Sequence, residues 1–364
     1  MASWKFNRQN NNIMNLCSDN VSGVHPKIMD ALIKADADDA MAYGNDRFTH
    51  ELEQLVRTKF QHETAKIWPV ATGTAANAIG LGALTPAFGS VYCHKLSHLE
   101  VDECGAPVFY TGGASLIHVD YDPDALITIK GLKQELAKGW RGVVHHTQPA
   151  VLSLTQLSEM GTHYSLETIK TLSDMAHEAG MMVHMDGARF SNALCVLGCT
   201  PAEMSWKAGI DLLSFGATKN GAMAAELIIS FTPAATANLG FMRKRGGHLF
   251  SKMRYLSAQL IAYLQDDLFL ENASHANQMA QYLAHRLTDS SIRLAHGAST
   301  KANMIFAYLS PASMANARAA GHEFYDYPAI GSIKDALGQE LLGVRLVTSW
   351  NSHKSDIDDF IRSL

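Results

Sequence analysis

The sequence predicts an α/β protein: a large domain with a mostly parallel sheet between helices, followed by a smaller α+β domain at the C-terminus. Two observations predict it. Short runs rich in β-formers alternate with amphipathic helical segments through the first two thirds of the chain, and near residue 265 this texture gives way to short strands and scattered helices. The elements follow in order. Helices are expected near 25–35 (HPKIMDALIKA), 48–60 (FTHELEQLVRTKF), 74–84 and 165–180, the last with Ser165 as its N-cap and Gly180 as its stop. The runs IWPV, SVYCH, GVVHHT, MMVHMD and DLLSFGAT between them read as strands. One long helix from about Arg243 to Leu264 closes a large domain spanning 1–264, N-terminal segment included. In the small domain, 265–364, HANQMAQYLAHRL, SIKDALGQ and SDIDDFIRSL read as helices and IRLAH, MIFAYL, EFYDY and VRLVTSW as strands.

Composition narrows the function. Of 364 residues 47% are hydrophobic and 18% charged, the ordinary globular range, so the chain can bury a large core. A net charge of −5, with no basic run longer than RKR at 243–245, supplies no field for a polyanion, and no nucleic-acid partner is expected. Five scattered cysteines (Cys17, Cys93, Cys104, Cys195, Cys199) argue against a disulfide framework and for a reducing compartment. Cys195 and Cys199 lack a matching second pair, so no metal is expected. Residues 1–12 are polar, and no apolar stretch reaches the ~18 residues that span a bilayer. A cytoplasmic protein without a membrane partner is the expectation.

Lys219, in SFGATKNGAM, needs a reason to sit among small residues just after an apolar run. In open α/β sheets ligands lie at the carboxyl ends of the strands, and three stretches end there with chemistry. MMVHMDGARF supplies Asp186 and Arg189, DLLSFGATKNG supplies Lys219, and IWPVATGTAANAIG supplies Gly73 and Thr74 at a helix start that can hold an anion. Each part alone has a plain explanation: a turn carboxylate, a solvated loop lysine, an ordinary helix start. Together, with Asp186 and Lys219 33 positions apart, they suit pyridoxal 5'-phosphate. Its aldehyde wants an amine, its ring nitrogen a carboxylate, and its phosphate backbone N–H groups and hydroxyls.

The segments SDNVSG, ATGTAANAIG, SHLEVDECGAP, HMDGARF, SFGATKNG and VRLVTSWNS, in this order, resemble the L-threonine aldolases of the low-specificity and phenylserine-cleaving kind. These belong to the aspartate aminotransferase-like fold, fold type I, of pyridoxal-phosphate enzymes. The resemblance covers nearly the whole chain. It implies that Lys219 condenses with the cofactor aldehyde, Asp186 pairs with the ring nitrogen, and His98 stacks on the ring near the substrate hydroxyl. Ser18, Arg189 and Arg345 match the group that holds the substrate carboxylate, and Tyr43 matches a tyrosine near the site. Glu100, Asp102 and Glu103 are expected to orient the His98 loop, and Arg243 or Arg245 to reach a neighbouring subunit's phosphate. The implied reaction cleaves a β-hydroxy-α-amino acid to glycine and an aldehyde, in a homodimer or homotetramer with sites between subunits. A β-eliminating lyase or an aminotransferase of the same fold would use the same Lys219 and Asp186. A dinucleotide-dependent dehydrogenase is disfavoured because no GxGxxG follows an early strand. The chain departs from the family in lacking an ENTH-type histidine segment: LTQLSEMGTHYS stands there, closer to the branch acting on aryl-serines. His145, His146 and His163 give no assignable second histidine.

Overall fold

Seven segments pair into one sheet in the larger of two units: β1 (Lys66–Val70), β2 (Gly89–Cys93), β3 (Ser115–His118), β4 (Gln148–Thr155), β5 (Met182–Gly187), β6 (Leu212–Gly216) and β7 (Glu226–Ser230). The computed structural model describes residues 13–295 and 301–364, so the polar stretch 1–12 and the last residue of IRLAH lie outside the described residues. Strand order is β1-β7-β6-β5-β4-β2-β3. The β3–β2, β2–β4, β4–β5 and β5–β6 pairs are parallel, and β7 alone runs against its neighbours β1 and β6. Strands β2, β6 and β7 are buried at every residue, as a sheet covered on both faces requires.

The helix Gly73–Leu84 begins where Thr72 caps it, its hydroxyl accepting from Ala75 N at 3.1 Å. It lies close on the sheet because position 80 has no side chain: a Cβ on Gly80 would stand 2.8 Å from Leu212 Cδ2. Val70, Ile79, Leu212, Ile228 and Leu239 fill that contact. Phe60, Phe190, Phe215, Tyr263 and Phe269 form an aromatic cluster, Phe60 stacked on Phe190 and the Phe60–Phe215, Phe190–Phe215 and Tyr263–Phe269 pairs edge to face. Ser165 caps the helix Leu166–Glu178 as expected, and Gly180 follows it at φ 71°.

Three expectations are corrected. GVVHHT is a loop, because the Gln148 side chain gathers it: Nε2 donates to the carbonyls of Trp140, Val143 and His146, and Oε1 accepts from Gly142 N. These local bonds outweigh β propensity, and the strand starts at Gln148. The helix expected over 243–264 is two, Leu239–Arg245 and Arg254–Leu264, interrupted after Gly246 and Gly247. SIKDALGQ is a strand and a turn, since Asp335 Oδ1 accepts from both Leu337 N and Gln339 N at 2.8 Å and Gly338 takes φ 78°.

The smaller unit comprises, among the described residues, 13–21, 275–295 and 301–364. The sequence division at 264/265 thus stands beside a structural division at 274/275, with the N-terminal segment in the smaller unit. That segment is laid into the small sheet: Leu16 N donates to Glu323 O, and Val347 N to Leu16 O. The sheet pairs β8 (Arg293–Leu294), β9 (Met304–Leu309), β10 (Tyr325–Asp326), β11 (Ser332–Lys334) and β12 (Glu340–Val347), all antiparallel. Leu16, Leu283, Ile305, Val344 and Phe360 form its core. Among the described residues no helix is long and apolar enough to cross a membrane.

Candidate active site

The parallel strands β4, β5 and β6 end side by side, and their registers set the site. Asp186 pairs across the sheet with Thr155 and Ser214, so its carboxylate emerges at the carboxyl rim. It is 3% exposed, with Oδ1 accepting from Ala188 N at 3.0 Å and Oδ2 from Asn77 Nδ2 at 2.8 Å. One strand over, Lys219 sits on the tight turn Thr218–Asn220, which leaves β6 and stops at Gly221 (φ 109°). That turn is pinned from several sides. Glu226 Oε2 accepts from Ala217 N at 2.7 Å, and Asn220 Nδ2 donates to Tyr263 OH and Phe269 O, each at 2.8 Å. Lys219 itself is half-buried, and its Nζ makes no hydrogen bond or ion pair among the described residues.

His98 comes from the opposite side, opening the short helix His98–Val101. Its Nδ1 is 2.9 Å from Glu103 Oε1, and its backbone N–H donates to Glu159 Oε1 at 3.1 Å. Glu103 is fully buried, and Asn77 Nδ2 donates to it at 2.8 Å as well as to Asp186. Of the three acids expected to orient His98, Glu103 does so; Glu100 pairs with His118 at 3.4 Å and Asp102 is exposed. Glu103 raises the His98 imidazole above its ordinary 6.5, against burial, with Asp186 adding and Lys219 opposing. Burial raises the carboxyls of Glu103 and Glu159, and pushes Glu226 up to about 7. Lys219, His98 and Arg189 counter that shift at Glu159, so all three stand within its field.

At the end of β1, Gly73 and Thr74 occupy the first two positions of their helix, where backbone N–H groups have no helical acceptor. A Cβ at Gly73 would meet nothing within 4 Å, so the approach to those groups is open. Arg189 stands at the start of the helix Phe190–Leu197, three residues past Asp186. In the smaller unit Arg345 Nη2 donates to Cys17 O at 3.2 Å, beside Ser18, while its guanidinium lies over Tyr325 and Tyr327. Arg345 Nε is buried without a partner, a donor set that suits a carboxylate. Tyr43 (φ 59°) instead lines an open depression with Lys244, Phe250 and Ser251, bonded to neither Lys219, Asp186 nor His98. Burial pulls Arg243 down to about 10, and Arg245 is exposed. His146 stacks on Trp140 at 4.9 Å.

The sequence reading missed Asn77, Glu159 and Glu226. Asn77 lies one helical turn after Gly73 on the same face, a spacing that pointed to it. Glu159 stands in the stretch where a second histidine was sought, and Glu226 carried no local signal. The residues present fit pyridoxal phosphate: a buried carboxylate, an unpaired amine and an open helix N-terminus meet on one rim.

Residues 15–310 match the family model described as beta-eliminating lyase. The chain is 36% identical over 348 residues to a low-specificity L-threonine aldolase of Pseudomonas aeruginosa, covering 95% of this chain and 96% of that one. It is 36% identical over 341 residues to the protein of the same name from a Pseudomonas species, covering 93% and 94%. Among solved structures it is similar to a threonine aldolase of Leishmania major, with a TM-score of 0.86, 25% identity, and coverage of 96% and 98%.

Proposed function

The chain belongs to the beta-eliminating lyase family, and from that premise we propose that it is a pyridoxal-phosphate-dependent carbon–carbon lyase of the threonine aldolase type. Its substrates are β-hydroxy-α-amino acids such as L-threonine, L-allo-threonine or phenylserine, cleaved to glycine and an aldehyde. The observation that carries this is the convergence of Asp186 and Lys219 on one rim, with His98 bonded to Glu103, which shares the Asn77 amide with Asp186.

The cofactor supplies, when bound, an electron sink for the breaking Cα–Cβ bond. Every other part belongs to the chain. Lys219 would hold the cofactor through its amine. Asp186, buried at the rim, would face the ring nitrogen and favour a proton there. The first N–H groups of the Gly73 helix, with Thr74, receive the phosphate. Arg345 and Ser18, neighbours in the smaller unit, are candidates to bind the substrate carboxylate, as is Arg189 in the larger one, a guanidinium fork giving orientation as well as charge. His98 accepts the β-hydroxyl proton, directly or through water, and Glu159 holds the His98 backbone in place. Because Glu103 raises His98, its base form fills only above the ordinary imidazole range. The rate should therefore climb with pH through a value above 6.5.

Assembly as a homodimer or homotetramer belongs to the same reading, supported by the exposed apolar side chains Met41, Tyr43 and Phe241, with Lys244 lying over the Tyr43 ring. So does a cytoplasmic location, supported by five free thiols. The test mixes the purified chain with pyridoxal phosphate. A visible absorbance band, borohydride fixation at position 219, and glycine plus acetaldehyde from threonine are expected. A keto acid and ammonia would assign the chain to elimination instead, and a colourless protein would end the reading.

A further inference from the structure

Two acids and an imidazole of this site hang on a single amide. Asn77 is 2% exposed, and an amide nitrogen carries two hydrogens. One goes to Asp186 Oδ2 and the other to Glu103 Oε1, each at 2.8 Å, and Glu103 in turn holds His98 Nδ1 at 2.9 Å. Both hydrogens are thus spent on carboxylates that arrive from different elements, the end of β5 and the loop after the helix His98–Val101. Asn77 Oδ1 and Glu103 Oε2 are buried without partners, so Glu103 has only the amide and the imidazole, whereas Asp186 also accepts from Ala188 N at 3.0 Å.

We propose that Asn77 is a positioning residue that couples the ring-facing carboxylate Asp186 to the His98–Glu103 pair and thereby sets the protonation of His98. The electrostatics run in one direction. Donation from Asn77 favours an ionised Glu103, and an ionised Glu103 favours a protonated His98. Without the amide, Glu103 is a buried carboxylate with only the imidazole for company, and its charge becomes harder to keep. The charged groups facing His98 from all sides enter the same balance: Glu103 on its own segment, Asp186 from β5, Lys219 from the turn after β6, and Glu159 from the loop after β4. The amide thus gives the site one shared setting, with Asp186 held in place at one end and the proton on His98 favoured through Glu103 at the other. This role rests on the proposed function only for what Asp186 and His98 face; the coupling is a property of the chain.

The test follows the His98 ring by NMR, in full-length protein labelled at histidine Cε1, with the signal assigned from its loss in His98→Gln. Asn77→Ala is expected to lower the His98 titration midpoint by about half a unit to one unit, and Glu103→Gln to lower it at least as far. The double variant should titrate like Glu103→Gln alone, because the amide acts through that carboxylate. Asn77→Asp, nearly isosteric, should move the midpoint upward by adding negative charge, and serves if the alanine variant fails to fold. In coenzyme-loaded protein the pH dependence of the visible band should shift in both Asn77 variants. An unmoved His98 midpoint in a folded Asn77→Ala or Asn77→Asp protein overturns the proposal, as do additive shifts in the double variant. Protein that never binds the coenzyme would refute the proposed function and leave the titration result standing.

Discussion

Two regions of the larger unit handle polar groups in opposite ways. On the rim, Asp186, Asn77, Glu103 and His98 are each other's partners, and the turn bearing Lys219 is bonded to Glu226, Tyr263 and Phe269. In the depression lined by Tyr43, Lys244, Phe250 and Ser251, a tyrosine and a lysine lie exposed, and on the helix Leu239–Arg245, which carries Lys244, Phe241 is 80% exposed. On the same helix Arg243 Nε is buried without a partner. The rim groups are bonded to one another, whereas the depression leaves Tyr43 and Lys244 exposed. The proposed function gives orientation of the reacting groups and self-association to different residues, so variants should separate them.

The largest effect should come from breaking the rim at its amine. Lys219→Ala should cost at least ~10³-fold in turnover and remove the visible band, with the fold unchanged by circular dichroism. Next comes the support beneath the rim, His184, which is fully buried between Ser153 Oγ at 2.9 Å and Ser214 Oγ at 3.0 Å. Burial lowers its imidazole from 6.5 to about 4, so the folded state binds the proton less readily than the unfolded chain. The stability this gives is complete above 6.5 and lost as pH falls through the window from 6.5 to about 4, amounting to about 3 kcal/mol. Urea unfolding at pH 7, 5.5 and 4 measures it, and His184→Gln should flatten the fall.

A smaller effect is expected in the other unit. Arg345→Ala should raise KM by about 10- to 100-fold, one charge-assisted contact, while the coenzyme band persists; loss of the band would place this arginine's role at the cofactor. The smallest effect probes the depression. Phe241→Ser should weaken self-association by about tenfold, read by light scattering across concentration, and leave the Lys219 band in place.

How much of this could be read from residues alone follows from how local each signal was. Asp186 and Lys219 end apolar runs, and the Gly73–Thr74 turn opens a capped helix, so strand ends and caps announced them. Gln148 folds the loop before β4 against propensity, and Asp335 turns an apparent helix into a hairpin, because side-chain bonds to nearby backbone overrule periodicity. Asn77 was hidden in a small-residue helix, since what makes it matter lies 26 and 109 residues away.

By itself the sequence determined the alternating α/β order, the strand-end amine and carboxylate, and the helix start poised for an anion, because each is written in consecutive residues and needs only local periodicity and charge. Which acid would hold His98, that one amide would serve two carboxylates, and that Glu159 and Glu226 would flank the lysine turn were decided by strand register and burial. Those choices depend on which distant groups are desolvated together, and desolvation exists only once the chain has packed.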